Sequence, residues 1–291
     1  MRIIRPFLFL FLLHGSSVNA QYSFAHEQEF ASHLFEHRFY KEYVEQTETI
    51  LKNYAVSQAG KDSISFNQGL CYHKLGLHDE SAVRYSLISN SSPLYFQSIF
   101  LASAGYSEEG SAWKAEMILD KFIPADSVSR SLKDLYLFSV YLLKNDVKGF
   151  NTFSASQQFN DPFFVTRQKT LVEFSKKMIK AKKKNGFTAG LLSAIIPGMG
   201  KIYAGKIRSG LTSMIPVTVL GLQAWEAYQK DGLKSPRFIV FGSMFSLFYI
   251  GNIWGSVLSV SVHKQEIQNE IHHEVVLGMH IALDHVLGTG R

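Results

Sequence analysis

An uncharged apolar stretch near the C-terminus places the strongest constraint on how this chain can fold. Residues 238–262, FIVFGSMFSLFYIGNIWGSVLSVSV, contain no Asp, Glu, Lys or Arg over 25 positions. As an α-helix the stretch is ~37 Å long, which exceeds the ~30 Å hydrocarbon thickness of a bilayer. We therefore predict a transmembrane helix. Three small residues within it, Gly251, Gly255 and Ser259, are spaced four apart and would let another helix pack closely, including one from a second copy of the chain.

The charge of the chain is unevenly distributed. Residues 21–166 carry 12 basic and 17 acidic side chains, whereas residues 167–237 carry 14 basic and 3 acidic side chains. A single cysteine, Cys71, excludes an internal disulfide and a Cys-rich zinc or iron–sulfur site. Catalytic and nucleotide-binding motifs are absent from the sequence. We predict an acidic soluble half followed by a basic, apolar half, with no cofactor and no enzymatic activity.

The first twenty residues have the pattern of a secretory signal peptide. Arg2 and Arg5 precede an apolar run from Phe7 to Leu13, and small residues follow as far as Ala20. A positive start, a short apolar stretch and a small-x-small exit are typical of such leaders. We predict cleavage after Ala20 and export of the chain that follows. An uncleaved anchor is the alternative.

Residues 22–184 favour helices that repeat with a period of 34 residues. One copy is carried by Gly69, Tyr72, Gly76, Ser81, Tyr85, Ile88 and Pro93. The next is carried by Ser103, Tyr106, Gly110, Ala115, Leu119 and Phe122. Weaker copies lie near residues 24–53 and 138–150. The pattern resembles the tetratricopeptide repeat family over about four units, which implies an all-α solenoid over residues 21–160. An unrelated helical bundle is the alternative.

The resemblance also implies a concave groove that binds a protein or peptide. Members of the family that clamp a C-terminal carboxylate use a row of Asn, Lys and Arg side chains on the first helix of each pair. Asn67 and Lys74 are the nearest candidates for groove contacts in this chain. No comparable row recurs in the second unit, which weighs against a carboxylate clamp.

A basic linker helix is predicted over residues 161–185. Its end carries six lysines within nine residues: Lys176, Lys177, Lys180, Lys182, Lys183 and Lys184. Because they directly precede an apolar region, we predict contact with anionic lipid headgroups, worth ~1 kcal/mol per charge near the surface. A solvated helix C-terminus is the alternative. Export and the absence of an aromatic platform argue against nucleic acid.

A second apolar helix is predicted over residues 209–229, joined to residues 238–262 by a short basic turn, Gln229 to Arg237. The two helices would form a transmembrane hairpin, and the positive-inside rule places the turn in the cytoplasm. Both flanks of the hairpin then face the exported side. The six lysines before the hairpin would also lie there, although the same rule disfavours positive charge on that side of the membrane. Two solutions stay open: residues 187–204 cross as a third helix, or the module lies in another membrane.

A glycine-rich signature, P-G-x-G-x-x-Y-x-G, precedes the hairpin. Its residues are Pro197, Gly198, Gly200, Tyr203 and Gly205, with Gly210 five positions further on. Proline ends a helix and glycine permits tight backbone, so we predict a re-entrant turn. A site for a lipid or phosphate headgroup is the alternative.

The signature resembles a membrane module of bacterial envelope proteins, many from Bacteroidetes, and more loosely the glycine-rich turns of the two-transmembrane "TM-two" family. The resemblance covers roughly residues 186–262. It implies a location and no reaction.

Residues 263–291 predict an amphipathic helix that lies on the membrane surface or against the repeats. Its polar positions include His272, His273, Glu274, His280, Asp284 and His285. Histidines on the polar face of one helix are a weak signal for a metal, so we predict no metal site.

These features predict an all-α protein: a signal peptide (1–20), a tetratricopeptide-like solenoid (21–160), a basic linker helix (161–185), a transmembrane hairpin module (186–262) and an amphipathic C-terminal tail (263–291). The predicted function is a scaffold for protein–protein interaction in the bacterial cell envelope, with the repeats on the periplasmic side. The alternative is a lipid-handling or transport accessory in which the membrane module is the active part.

Overall fold

The computed structural model describes residues 23–288, so the predicted signal peptide and residues 289–291 lie outside the described residues. The described part contains thirteen α-helices and no β-strand, which confirms the predicted all-α class. The helices are α1 (Phe24–Glu36), α2 (Tyr40–Asn53), α3 (Gln58–Lys74), α4 (His78–Ser86), α5 (Tyr95–Glu108), α6 (Ala112–Lys121), α7 (Ser127–Leu143), α8 (Val147–Ser156), α9 (Pro162–Lys182), α10 (Gly186–Ile195), α11 (Met199–Ala204), α12 (Ile207–Asp231) and α13 (Pro236–Leu287).

The first eight helices form four consecutive pairs that are joined by the same tight turn. One residue of each turn has a left-handed backbone, with φ of 63°, 75°, 79° and 60° at Arg38, Gly76, Gly110 and Asn145. The next amide donates to the carbonyl five positions back, as from Leu77 to Tyr72 at 2.9 Å and from Ser111 to Tyr106 at 2.7 Å. Glycine and asparagine adopt this conformation readily. The 34-residue spacing of Tyr72 and Tyr106 therefore coincides with a repeated helix–turn–helix geometry.

Small residues let the helices of a pair approach each other. A Cβ atom at Gly69 would lie 2.7 Å from the ring of Tyr85, so glycine is required for this contact between α3 and α4. The hydroxyl of Ser81 donates to the carbonyl of Gly69 at 2.8 Å. Gly69 and Ser81 are both among the residues that carry the 34-residue period in the sequence.

The largest hydrophobic core lies between α4–α9 and the second half of α13. Tyr136 is fully buried there, and its hydroxyl donates to the backbone carbonyl of Met279 at 2.8 Å. A smaller core holds α1, α2 and α3 together around Tyr43, Ile50 and Cys71.

The C-terminal helix is continuous through the boundary at which the sequence divides a transmembrane helix from a tail. The 52 residues of α13 make a helix ~78 Å long with no break at residue 262. Its second half buries an apolar stripe at intervals of four residues against α5, α7 and α9. The stripe consists of Ile267, Ile271, Val275, Met279 and Leu283. The tail therefore lies against the helical repeats, which is one of the two positions predicted from the sequence.

The first half of α13 packs against α10, α11 and α12. Gly221 in the middle of α12 lies close to the ring of Phe245, in the first quarter of α13, which brings the two long helices together there. Among the helices in residues 23–288, α13 is the one that is long and apolar enough to cross a membrane, judged by length and composition.

Candidate functional site

A cleft of about 420 Å³ opens between α1, α2 and α3. Its lining includes Gln28, Ser32, Glu36, Ser63 and Asn67, so polar groups face the space above an apolar floor that contains Tyr43 and Ile50. We call it the α1–α3 cleft. The side chain of Asn67 also hydrogen-bonds the hydroxyl of Tyr43, which makes it part of the wall as well as a surface group.

The structure separates the two groove residues that the sequence paired. Asn67 is half-buried in the α1–α3 cleft, whereas Lys74 is exposed at the end of α3, seven residues further on. Lys74 lies beside His73, not among the residues that line the cleft. A ligand would therefore contact Asn67 without touching Lys74 unless it extended along α3 by about two turns.

Large apolar side chains are exposed together on α10, α12 and the first half of α13, and we call this surface the apolar belt. Its members include Phe187, Leu191, Ile195, Ile207, Leu211, Ile215, Val219, Leu222, Ile239, Val240, Leu247, Trp254 and Leu258. Leu247 is 72% exposed. On α12 the exposed members recur every three or four residues, so they form one face of the helix. An exposed apolar surface of this extent marks a contact with lipid or protein.

Two short helices, α10 and α11, fold back against each other beside α13. The hydroxyls of Ser193 on α10 and Ser256 on α13 lie 2.6 Å apart, and the amide of Gly200 on α11 donates to Ser193 at 2.9 Å. Further along, the hydroxyl of Tyr249 donates to the carbonyl of Ala194 at 2.6 Å. These polar groups are thus paired with each other, whereas the buried side-chain amide of Asn252 on the same part of α13 has no hydrogen-bond partner among the described residues.

The glycines of the signature make the turn between these helices possible. Gly198 and Gly205 have φ of 88° and 101°. A Cβ atom at Gly200 would lie 1.9 Å from the carbonyl oxygen of Ala189, and one at Gly210 would lie 2.8 Å from the carbonyl oxygen of Gly198. The signature residues therefore bring α10, α11 and the start of α12 into backbone contact.

The two ends of this folded segment lie side by side. The ammonium group of Lys184, just before α10, donates to the carbonyl of Ala204, the last residue of α11, at 2.9 Å. The same group lies 3.3 Å from Nε2 of His263 on α13. At the same end, the hydroxyl of Tyr203 accepts from the amide of Asn185 at 3.2 Å. Residues 186–204 thus run along α13 as two short helices and return to their starting level.

The six lysines of the linker helix divide into two groups. Lys177 pairs with Glu270 at 2.7 Å, Lys182 donates to the carbonyl of Asn145 at 3.3 Å, and Lys184 makes the contacts given above. These three hold α9 to its neighbours. The remaining three, Lys176, Lys180 and Lys183, are exposed at the same end of α9 and stay available to an anionic partner.

The small-residue row of α13 is not the face that packs within the chain. A Cβ atom at Gly251 would meet no other atom within 4 Å, and Gly255 lies under the side chain of Lys201. Ser259 donates to the carbonyl of Gly255 within its own helix at 2.6 Å. The neighbouring face, with the buried Asn252, Ser256 and Val260, contacts α10 and α11 instead.

A cluster of ionisable side chains connects three helices of the repeats to α13, and we call it the histidine cluster. It consists of His73 at the end of α3, His78 at the start of α4, Glu108 at the end of α5 and His280 on α13. Carboxylate oxygens of Glu108 lie 3.6 Å, 2.9 Å and 3.8 Å from ring nitrogens of His73, His78 and His280. Each of the four side chains is 24–33% exposed.

Burial changes the titration of two groups in this cluster. It lowers the pKa of His73, against the attraction of Glu108, so its imidazole is favoured in the neutral form. Burial also acts to raise the pKa of Glu108, but His280, His78 and His73 outweigh it and hold that pKa below its ordinary value. The cluster thus combines an ionised carboxylate with at least one neutral imidazole.

Sequence reasoning considered the histidines of the tail alone and found no site. The structure brings His280 to residues more than 170 positions away, and no local spacing announces such a meeting. The one local signal is that His73 and His78 flank the turn at Gly76.

Comparison with known proteins gives no relative: no protein-family model matches the chain, and no curated protein or solved structure is significantly similar to it.

Proposed function

We propose that this chain is a tetratricopeptide-like scaffold for protein–protein interaction, anchored in a membrane of the bacterial cell envelope and without catalytic activity. One observation carries the proposal. The helix whose first half belongs to the apolar belt also supplies, through its second half, part of the core of the helical repeats. A membrane segment and a soluble segment are thus joined by one helix, with no linker between them.

The repeated turn supports the tetratricopeptide-like part. In each of four helix pairs, one residue of the turn has a left-handed backbone, and these residues recur at intervals of 34–38 positions. Each pair packs against the next. Stacked pairs of this kind form solenoids that present an extended inner surface to partners.

The apolar belt supports a transmembrane hairpin of α12 and α13. The uncharged stretch of α12 from Ser209 to Trp225 is ~25 Å long, shorter than the ~30 Å hydrocarbon core, so α12 would cross beside α13 with local thinning of the bilayer, and the exposed Trp225 suits a membrane interface. In this arrangement α10, ~15 Å long, enters the bilayer and α11 returns, as in a re-entrant segment. At the turn between them, Tyr249 of α13 donates to the carbonyl of Ala194 and Ser193 accepts from the amide of Gly200, which lowers the cost of irregular backbone in lipid.

The face available to a partner is limited by the chain itself. The odd-numbered helices α5, α7 and α9 are covered by the second half of α13, which occupies them much as a bound helix would. The α1–α3 cleft remains open. We therefore place partner binding, by a protein or peptide, at the α1–α3 cleft, with Asn67 as a contact residue.

The orientation follows from the predicted signal peptide. Because α13 leads directly into the repeats, the repeats, the lysines of α9 and the second half of α13 lie on one side, and the turn at residues 232–235 lies on the other. Export then places the repeats on the periplasmic side. The exposed Lys176, Lys180 and Lys183 would contact anionic headgroups on that side.

Site-specific crosslinking tests the scaffold. A photo-crosslinking amino acid at Ser63, in the cleft, should capture a protein partner in native membranes. The same amino acid at Thr49, exposed on α2 outside the cleft, is the control. Asn67→Ala should reduce the Ser63 adduct at least severalfold. Equal adducts at both positions, or none at either, would contradict a scaffold that uses this cleft.

One observation favours the alternative, a lipid-handling accessory. A groove of about 1050 Å³ lies between α12 and α13 near the turn, lined by apolar residues that include Trp225, Phe238 and Phe245. A crosslinker at Ser246 in this groove that captured one specific lipid species, with no protein captured at Ser63, would support the alternative.

A further inference from the structure

The histidine cluster has the donor types of a zinc site. Its four side chains offer three imidazole nitrogens and a carboxylate oxygen, which are the common oxygen and nitrogen ligands of Zn²⁺ in proteins. They come from four different helices, so a bound ion would hold these helices together. Lys74 is adjacent to His73, but it is exposed to solvent, which screens the repulsion between its positive charge and a bound cation.

The distances within the cluster fit a single ion. Ligands ~2.0–2.1 Å from a tetrahedral zinc lie ~3.3 Å from each other. Oε2 of Glu108 lies 2.9 Å from His78 and 3.6 Å from His73, and its other oxygen, Oε1, lies 3.8 Å from His280, so the separations fall on both sides of this value. The ligand atoms of His73, His78 and Glu108 all lie within 4.8 Å of one another, and His280 lies just outside this group, beside the other carboxylate oxygen of Glu108.

The hydrogen bonding of the cluster is incomplete without an ion. Nδ1 of His78, Oε2 of Glu108 and Nε2 of His280 are inaccessible to solvent, and although the first two lie 2.9 Å apart, none of the three makes a hydrogen bond of good geometry within the described residues. Buried polar atoms normally make well-formed hydrogen bonds, so three buried atoms that lie close together without them call for an explanation. A metal ion at their centre would satisfy all three.

A neighbouring contact orients the carboxylate. Nε2 of His272, about two helix turns before His280 on α13, lies 3.2 Å from the backbone carbonyl of Glu108. This contact fixes the end of α5, from which the Glu108 side chain extends. Such outer contacts commonly hold metal ligands in place.

We infer that His73, His78, Glu108 and His280 form a binding site for a zinc ion that fastens α13 to the turn of the second helix pair and to the end of α5. With His280 drawn in as the fourth ligand, the tetrahedral coordination sphere is filled, so the site is structural, with no open position for a substrate. The inference does not depend on the proposed scaffold function, because none of the four ligand side chains lines the α1–α3 cleft.

Zinc titration of the full-length protein tests this site. The protein, purified in detergent with a tag that contains no histidine and stripped with a chelator, is titrated with ZnCl₂ by calorimetry. We expect one Zn²⁺ per chain, and at least about tenfold weaker binding for His73→Gln and for His280→Gln. The matched control is His273→Gln, which removes an exposed imidazole from the same helix.

X-ray absorption at the zinc edge gives a second measurement. It should report only nitrogen and oxygen ligands, three of them imidazoles. Circular dichroism of each variant checks that it is folded. Wild-type binding no tighter than that of the His73→Gln/His280→Gln double variant would overturn the inference. So would an equal loss of affinity in His273→Gln.

Discussion

At the scale of single residues, close packing determines which side chains can react and which can change. Cys71 is completely buried in the small core of α1–α3, and this burial raises the pKa of its thiol to about 12. Gly200 and Gly251 are both helical glycines, but one lies against backbone and the other faces open space. Residue type alone would not distinguish them.

We expect Cys71 to be inert in the folded protein. With its pKa near 12 instead of about 9, the thiolate fraction at pH 8 falls about a thousandfold, and burial also blocks access. The rate of reaction with a thiol reagent such as dithionitrobenzoate should be at least about a hundredfold lower in native than in denaturant-unfolded protein. Similar rates in the two states would mean that the α1–α3 core is open.

Gly200→Ala should destabilise the membrane module. The added methyl would lie 1.9 Å from the carbonyl oxygen of Ala189, so α10 and α11 must separate at a cost of at least about 2 kcal/mol. Gly251→Ala is the control, since its methyl meets no atom within 4 Å and alanine favours a helix by ~0.5–1 kcal/mol. Melting temperatures in detergent should fall for the first variant only.

At the scale of helices, α13 connects two environments. Its first half exposes apolar side chains. Its second half buries apolar side chains, one every four residues, against α5, α7 and α9. The change occurs near His263, where Lys184 and the ends of α10 and α11 also meet. One helix thereby fixes the position of the repeats relative to the membrane module.

We expect the second half of α13 to contribute strongly to stability. Ile271→Ala removes a side chain that is 2% exposed, and loss of such a group from a core costs about 2–5 kcal/mol. Leu277→Ala, on the exposed side of the same helix, should change stability by less than about 0.5 kcal/mol. Urea unfolding in mild detergent measures both, and equal small effects would indicate that the tail does not belong to the core.

At the scale of the whole molecule, local patterns predicted the elements and non-local contacts determined their arrangement. The uncharged stretch and the positions of Gly76 and Gly110 follow from periodicity and backbone preference, which a sequence contains. That residues 263–287 cover α5, α7 and α9, and that His280 meets His73, depend on which apolar faces match in three dimensions. Local sequence patterns do not reveal such pairings. They therefore could not predict that α13 continues past residue 262 or that the histidine cluster forms.

The most direct test of the central claim, repeats held at the periplasmic surface by a membrane-crossing hairpin, is labelling of single introduced cysteines with a membrane-impermeant maleimide. The native Cys71 can remain because it is buried. Three exposed positions suffice: Lys61 on the repeats, Lys234 in the turn and Leu247 in the apolar belt.

In bacteria with a permeabilised outer membrane, Lys61→Cys should react, Lys234→Cys should react only after the inner membrane is broken, and Leu247→Cys should react only after denaturation. Reaction of Lys61→Cys and Lys234→Cys from the same side, with Leu247→Cys as reactive as both, would contradict the account.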